Sequence, residues 1–468
     1  MEEIHAAKFN HLAGWYVGEY YEKGEARSVF YGGDRHGTMT APTRSGKSRT
    51  ILFRHLTCYE GSAFINDPKG ELAMVTAQHR RDVLKQDVFI LNPYGLFLDD
   101  LPNGINGFRS QGFKMARFNP LASLDLSHSQ FSLKLDSLAA DLVPLHDSKN
   151  SFWVDSARQI VAGYLRFLVE TKEPKDRNIC DLYWFLTRAQ AGGHTFKNEL
   201  EGMFSNPFSS KKVYAALSCL ADTSGKVGEF IGNAKANFSF MADEALRESL
   251  TGDDFDFRDF KWRASTLYVI LPSHGMRERK MWLQFVFASG ITSLSDVSQG
   301  RGLDTLFLLD ELKTLGHMET LAHNYSAVSG YGVRFWLVFQ TMSQLKKLYP
   351  DEWHEFMNGA GFNQYFTPGP EDMETANAIA ERCGKRTVPN ESRSRDGAGG
   401  ESVSKSRVGV PFWTPQEVLV MPQTRQILFA PGLEYPIILE RENYDQSPKC
   451  SGLNPNPYVP TDLVERVR

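Results

Sequence analysis

Short apolar runs, each too brief for a buried helix and most followed by residues of helical spacing, constrain this chain more than any other feature. Ser62–Asn66 (SAFIN), Val88–Leu91, Ser265–Leu271 (STLYVIL), Asp304–Asp310 (DTLFLLD), Val333–Phe339 (VRFWLVF) and Asn363–Phe366 read as strands. A further apolar stretch leads into Ala41, and Ser48–Leu56 has helical spacing. Parallel neighbours need a crossover long enough to hold a helix, so this alternation predicts an α/β fold with a mainly parallel sheet. Ile427–Ala430 and Tyr435–Leu439 read as a terminal strand pair.

The alternation stops near Ser127 and resumes after Gly252. Between them the chain reads as helix after helix, clearest at Asn150–Lys172, where Phe152, Trp153, Ala157, Ile160, Val161, Tyr164, Leu165 and Leu168 recur at helical spacing. Asp181–Arg188, Phe196–Phe204, Lys211–Leu220 and Lys226–Leu250 follow. At 468 residues the chain is too long for one core. The expected organisation is an α/β domain in two sequence halves, 1–126 and 253–445, interrupted by an all-α domain at 127–252. Lys385–Val408 is rich in Gly, Ser and charge, so 385–409 is expected to be a mobile loop. The Pro- and Asn-rich residues 446–468 are expected to be an irregular tail.

Composition narrows the classes. The net charge is −4, so any grip on nucleic acid must come from a local patch such as Arg277–Lys280 (RERK) or the Lys and Arg of 385–407. Cys58, Cys180, Cys219, Cys383 and Cys450 form no CxxC pair, which suits free thiols in a reducing compartment and gives no zinc site. No apolar run approaches the ~18–20 residues of a bilayer span, and Met1–Asn10 lacks a signal-peptide pattern. The expected location is the cytoplasm.

The chemistry concentrates in a few strings. Ala41–Ser48 reads APTRSGKS, the phosphate-loop pattern with Ala41 in place of the first glycine. Such a loop curls backbone N–H groups around phosphate oxygens at a helix N-terminus. Gly46 permits the tight turn, Lys47 has the reach of the β- and γ-phosphates, and Ser48 offers a hydroxyl to Mg²⁺. Thr43, Arg44, Ser45, Gly46, Lys47, Ser48 and Arg49 are the expected nucleotide-binding residues, and ATP and Mg²⁺ the expected cofactors. A plain Gly/Ser turn before a helix is the alternative, but a strand candidate before and a helix after are the context a phosphate loop requires.

Leu306–Glu311 (LFLLDE) is an apolar strand with two carboxylates at its C-terminal end, where ligands of open α/β sheets bind. Asp310 is expected to hold Mg²⁺ with Ser48, and Glu311 to act as general base on the attacking water. Gln340, after the VRFWLVF strand, is the candidate sensor of that water, with a helix-capping role as its rival. Ile65–Leu72 (INDPKGEL) clusters Asp67, Lys69 and Glu71 at another strand end.

Together and in this order, APTRSGK, DPKGE at Asp67–Glu71, LLDELKTLG at Leu308–Gly316 and QTMSQL at Gln340–Leu345 resemble the conjugative coupling proteins of type IV secretion, the TraG/TraD-like family. FW followed by an AR pair at Phe152–Arg158 and the C-terminal PQEVLVMP add to the likeness, which runs from about Arg35 to Tyr444. The resemblance implies a RecA-like domain with an all-helical insertion, and a homo-hexameric ring related to the FtsK and HerA motors. It implies roles in ATP hydrolysis for Lys47, Ser48, Asp310, Glu311 and Gln340. The implied partners are single-stranded DNA, relaxase or effector proteins, and secretion-channel components. Members usually carry N-terminal transmembrane helices and this sequence shows none, so contact with the inner membrane is expected through partners. The arginine that some members place before the glutamine-bearing strand has no counterpart, since Arg334 lies inside the strand. The alternatives are a recruitment module with a slow ATP switch and a soluble DNA-pumping ATPase.

Overall fold

The computed structural model describes residues 8–459, except 11, 145–150, 222–227, 229–230, 233–234, 236, 273–275, 297–299 and 396–400. The side chains of 151–153, 276–278, 392–395 and 401–402 also lie outside the described residues. The strands in chain order are β1 (Phe9–Asn10), β2 (Trp15–Glu22), β3 (Glu25–Tyr31), β4 (His36–Thr40), β5 (Ser62–Asn66), β6 (Asp87–Leu91) and β7 (Ser265–Val269). They continue as β8 (Thr305–Leu309), β9 (Val333–Phe339), β10 (Ala360–Phe366), β11 (Lys385–Arg395), β12 (Glu401–Pro411), β13 (Arg425–Phe429) and β14 (Ile437–Glu440). Two compact units comprise Met1–Tyr59 with Trp336–Ser451, and Glu60–Phe335 with Gly452–Arg468, so the division falls within β9.

In the first unit the strand order is β1-β3-β2-β14-β13-β10-β4-β9. β4 runs parallel to both β9 and β10, while the strands beyond β10 pair antiparallel. β4 is buried along its whole length although it reads HGTMT. Aromatic packing supports this sheet: Trp15 stacks on Trp336 at 5.5 Å, with Phe362 edge-on to both. His55 Nδ1 accepts from Tyr16 N–H at 3.3 Å, tying β2 to the helix Phe53–Cys58.

Where a mobile loop was expected at 385–409, residues 385–395 and 401–411 form two paired strands. β11 and β12 pair in unbroken antiparallel register from Lys385↔Pro411 to Arg395↔Glu401. A ribbon is held by backbone pairs, so its lack of apolar anchors, which suggested a loop, does not prevent regular structure.

In the second unit β8-β5-β7-β6 are neighbours and all parallel. Phe64 of β5 packs against Phe307 of β8 at 4.8 Å and against Phe287 at 4.5 Å. Phe287 belongs to the helix Met276–Leu294, which also buries Trp282, Phe285 and Ile291. Arg334 at the start of β9 is ion-paired with Asp304, so it serves the strand end.

Between residues 127 and 252 the described residues form helices and no strand. The α-helices are Phe131–Leu142, Ser151–Thr171, Asp181–Ala191, Gly193–Ser205, Lys211–Leu217 and Glu244–Glu248. Tyr164 stacks on Phe185 at 4.0 Å in their core. The single helix expected over Lys226–Leu250 is not continuous. A 3₁₀ turn at Ser239–Ala242 precedes Asp243, whose carboxylate accepts from Ala245 and Leu246 N–H and starts a new helix. Asp141 accepts hydroxyl hydrogen bonds from Thr292 at 3.0 Å and Thr320 at 2.9 Å, joining these helices to the rest of their unit.

Among the described residues, no helix is long and apolar enough to cross a membrane. The RERK segment is partly engaged: Arg279 lies over the Tyr94 ring at 4.5 Å, and burial lowers the Lys280 pKa.

Candidate nucleotide site

The first unit holds the phosphate-loop residues and Gln340. Ala41 N–H donates to Phe339 O at 2.9 Å, so the loop leaves β4 beside the end of β9. Ala41 is buried and has no positive φ, so nothing here requires the glycine of the usual pattern. Arg44 and Gly46 take φ of 60° and 81°, a turn that faces successive N–H groups to one side. Gly46 suits this because no L side chain adopts that φ without strain. Ser45 N–H bonds back to Pro42 O at 3.2 Å, and Thr50 donates to Gly46 O from both its N–H (2.9 Å) and its hydroxyl (3.0 Å).

Lys47 is the helical N-cap and Ser48 the first helical residue, 7% exposed. The expected helix opens with a wide π turn, Ser48–Leu52, and continues as Phe53–Cys58. Thr43 and Arg44 are exposed, while Ser45, Gly46 and Lys47 are half-buried. Arg49, expected at the nucleotide, is ion-paired with Asp445 at 2.5 Å.

Gln340 follows β9, whose Phe339 is in register with Thr40 of β4. Capping of the next helix, Met342–Leu348, belongs instead to Thr341, whose hydroxyl accepts from Gln344 N–H at 3.1 Å. The Gln344 side chain folds back to accept Gln340 N–H at 2.8 Å. QTMSQ is thus a self-capped turn that fixes the Gln340 backbone.

The second unit brings the two acidic strings together. Asn66 of β5 pairs with Leu309 of β8, so Asp67 and Asp310 leave adjacent strand ends. Asp310 is buried and Glu311 half-buried. Glu311 O accepts from Thr314 N–H (3.0 Å), the Thr314 hydroxyl (2.7 Å) and Asn66 Nδ2 (3.3 Å), so the acidic turn is held from β5.

DPKGE also has a physical logic. Gly70 sits at φ 69° as N-cap of the helix Glu71–Asp82. Asp67 Oδ2 accepts Ala73 N–H at 2.8 Å inside that helix terminus. Burial nevertheless pushes its carboxyl well above the ordinary value, helped by the charges of Glu71 and Asp310, and its Oδ1 is buried with no hydrogen-bond partner among the described residues. Segments far along the chain cover this turn. Asn456 Nδ2 donates to Glu71 at 3.2 Å, and the Tyr458 hydroxyl to Lys69 O at 2.8 Å.

Sequence reasoning missed these supports, and also Arg441, whose Nη1 donates to Ser45 O at 2.8 Å. Only the pattern of the loops themselves is local; their anchors lie hundreds of positions away and carry no motif. Taken unit by unit, the donor types suit a Mg-nucleotide: the first offers loop amides for phosphate and the Ser48 hydroxyl, and the second the Asp310 carboxylate, oxygen donors of the kind Mg²⁺ prefers.

A parallel α/β core whose strand β4 feeds a phosphate loop into a helix is that of the RecA-like P-loop nucleotide-binding proteins. Within that class the chain belongs to the family described as Type IV secretory system Conjugative DNA transfer, whose model matches residues 2–458. Protein VirD4 of Agrobacterium fabrum (strain C58 / ATCC 33970) is 23% identical over 418 residues, 87% of this chain and 58% of VirD4. Conjugal transfer protein TraG of Escherichia coli is 24% identical over 444 residues, 88% of this chain and 66% of TraG. The chain thus spans under two thirds of these relatives. The fold matches the bacterial conjugative coupling protein TrwBdeltaN70 with TM-score 0.64 at 16% identity, covering 87% of this chain and 85% of that one. The structure of TrwB in complex with ADP and Mg²⁺ matches with TM-score 0.62 at 16% identity, covering 88% and 86%.

Proposed function

We propose that this chain is the ATP-hydrolysing motor of a type IV coupling protein, which recruits DNA–relaxase complexes or protein effectors and drives them toward a secretion channel. The observation that carries the reading is the phosphate loop at the end of β4, with its paired positive φ values and a lysine and serine opening the helix. TrwB, which shares the fold, has been solved with ADPNP and with ADP and Mg²⁺, and that supports ATP and Mg²⁺ here.

Lys47 neutralises charge on the β- and γ-phosphates, and the loop amides hold their oxygens. Ser48 and Asp310 would hold Mg²⁺, which would supply further neutralisation of the phosphate charge. Glu311 accepts a proton from the water that attacks the γ-phosphorus, and Gln340 orients that water through its amide. The bond from the γ-phosphorus to the bridging oxygen breaks, leaving ADP and phosphate. The active form is a homo-hexamer in the cytoplasm, peripheral to the inner membrane through its partners. The helical segment 127–252 is the cargo-recognition domain.

The test is ATP turnover by the purified chain with and without single-stranded DNA. Turnover stimulated by DNA and lost in Lys47→Ala is expected. Turnover indifferent to DNA favours the recruitment switch, and equal turnover in Lys47→Ala rejects the motor reading.

A further inference from the structure

β14 ends at Glu440, and the next residue turns inward. Arg441 N–H donates to Thr424 O at 2.7 Å, and its side chain is 7% exposed. The guanidinium lies 3.8 Å from the centre of the Phe366 ring, and Nη1 donates to Ser45 O at 2.8 Å. Nε is buried with no acceptor among the described residues. The adjacent carboxylate, Glu440, is taken up by Arg425 at 2.7 Å. Burial lowers the Arg441 pKa to about 10, so it remains a cation at neutral pH. A nearly buried cation held by one carbonyl and one ring is an expensive way to fill space, where an apolar side chain would pack at lower cost.

The contact falls where the loop's shape is decided. In a trans peptide the carbonyl of one residue and the N–H of the next point to opposite sides. Fixing Ser45 O on the Arg441 side therefore fixes Gly46 N–H on the other. Pro42 O and Gly46 O are engaged by Ser45 N–H and by Thr50. A second anchor follows on the first helical turn. Tyr444 N–H donates to Arg49 O at 2.8 Å, the Tyr444 ring meets Phe53 at 4.7 Å, and Asp445 pairs with Arg49 at 2.5 Å.

We propose that Arg441–Asp445 braces the phosphate loop, and that Arg441 is the positioning residue that turns the Gly46 amide toward phosphate before nucleotide arrives. This rests on the nucleotide-binding reading of Ala41–Ser48. The brace acts alike on substrate, product and transition state, because all three present phosphate oxygens to the same amides.

The experiment uses the full chain with Arg441→Met, which keeps an unbranched stem over Phe366, and with Arg441→Lys, which restores a cation able to reach the carbonyl. Binding of MgADP and MgATP, steady-state turnover and nucleotide-free thermal unfolding are measured. Arg441→Met is expected to weaken both ligands by about tenfold and to raise KM, with kcat within about twofold, the pattern of lost uniform binding. Arg441→Lys should recover affinity to within about threefold, as one charge-assisted hydrogen bond is regained. Unchanged MgADP binding in Arg441→Met overturns the brace, as does equal loss in both variants with a matching fall in unfolding temperature. Should Arg441→Met fail to fold, the partly exposed Asp445→Asn decides. A loss of about threefold supports the brace, in the range of one exposed ion pair, and wild-type affinity overturns it. Lys47→Ala is the control: if wild type and Lys47→Ala bind MgADP equally, the phosphate-loop reading fails and the brace with it.

Discussion

In the proposed mechanism Lys47 and Glu311 separate two demands on a nucleotide site, holding charge and moving a proton. Lys47→Ala is expected to lower ATP affinity and abolish hydrolysis, measured by nucleotide titration and phosphate release. Glu311→Gln keeps the shape and hydrogen-bonding reach of the side chain but cannot accept the proton. It should bind MgATP as wild type does and turn over at least ~100-fold more slowly, the lower range of general-base contributions. Asp310→Asn should instead raise the Mg²⁺ concentration needed for tight ATP binding. A different acid contributes to the pH dependence of stability. Desolvation raises the Asp141 carboxyl to about 7, against the hydroxyl hydrogen bonds of Thr320 and Thr292. The unfolded chain releases this proton near the ordinary carboxyl pKa, whereas the folded chain keeps it to about 7. This contribution to stability is complete at acid pH and is lost as pH rises through that interval. Asp141→Asn should unfold at a higher temperature than wild type at pH 8, with the difference vanishing near pH 4.

Elements were legible where one local signal sufficed. The runs SAFIN, STLYVIL and VRFWLVF gave strands because buried parallel strands need continuous apolar residues. β4 was only partly legible, since its burial depends on neighbours on both sides and HGTMT carries little apolar signal. The β2–β3 pair went unread because Gly and Glu interrupt the aromatic residues of β2 and half of β3 is polar, so neither gives a continuous apolar run. Residues 385–411 went the other way, because strand pairing there is decided by backbone register and not by composition. The QTMSQ turn is a case where the motif is legible and its mechanism is not. Thr341→Ala removes the N-cap of Met342–Leu348 and should cost about 1 kcal/mol, read as a lower denaturant midpoint. If Gln340 acts on water, the same variant should also reduce kcat with little change in nucleotide affinity, because the cap holds the turn that presents it.

Across the whole molecule, the phosphate loop, the acidic strand end and the run of helices were all readable in order along the chain. Their supports were not, because Arg441, Asn456 and Tyr458 act across distances in sequence that no motif spans. Replacing Leu126–Gly252 with a short Gly/Ser linker tests the proposed division of labour. Nucleotide binding should remain measurable while cargo capture is lost; a motor that unfolds would make the helices part of its core. Binding to single-stranded DNA should weaken steeply with salt, as phosphate contacts release counterions. One feature of the first unit also governs how the protein is made. β4 carries the phosphate loop, yet both strands that flank it, β9 and β10, lie about 300 residues further along, the kind of non-local pairing that slows folding. On the ribosome, β4 waits unpaired until about 300 further residues have been synthesised. Nascent chains stalled before Val333 should therefore show no nucleotide protection of the loop and should need chaperone shelter, whereas chains released after Phe366 should acquire both partners of β4.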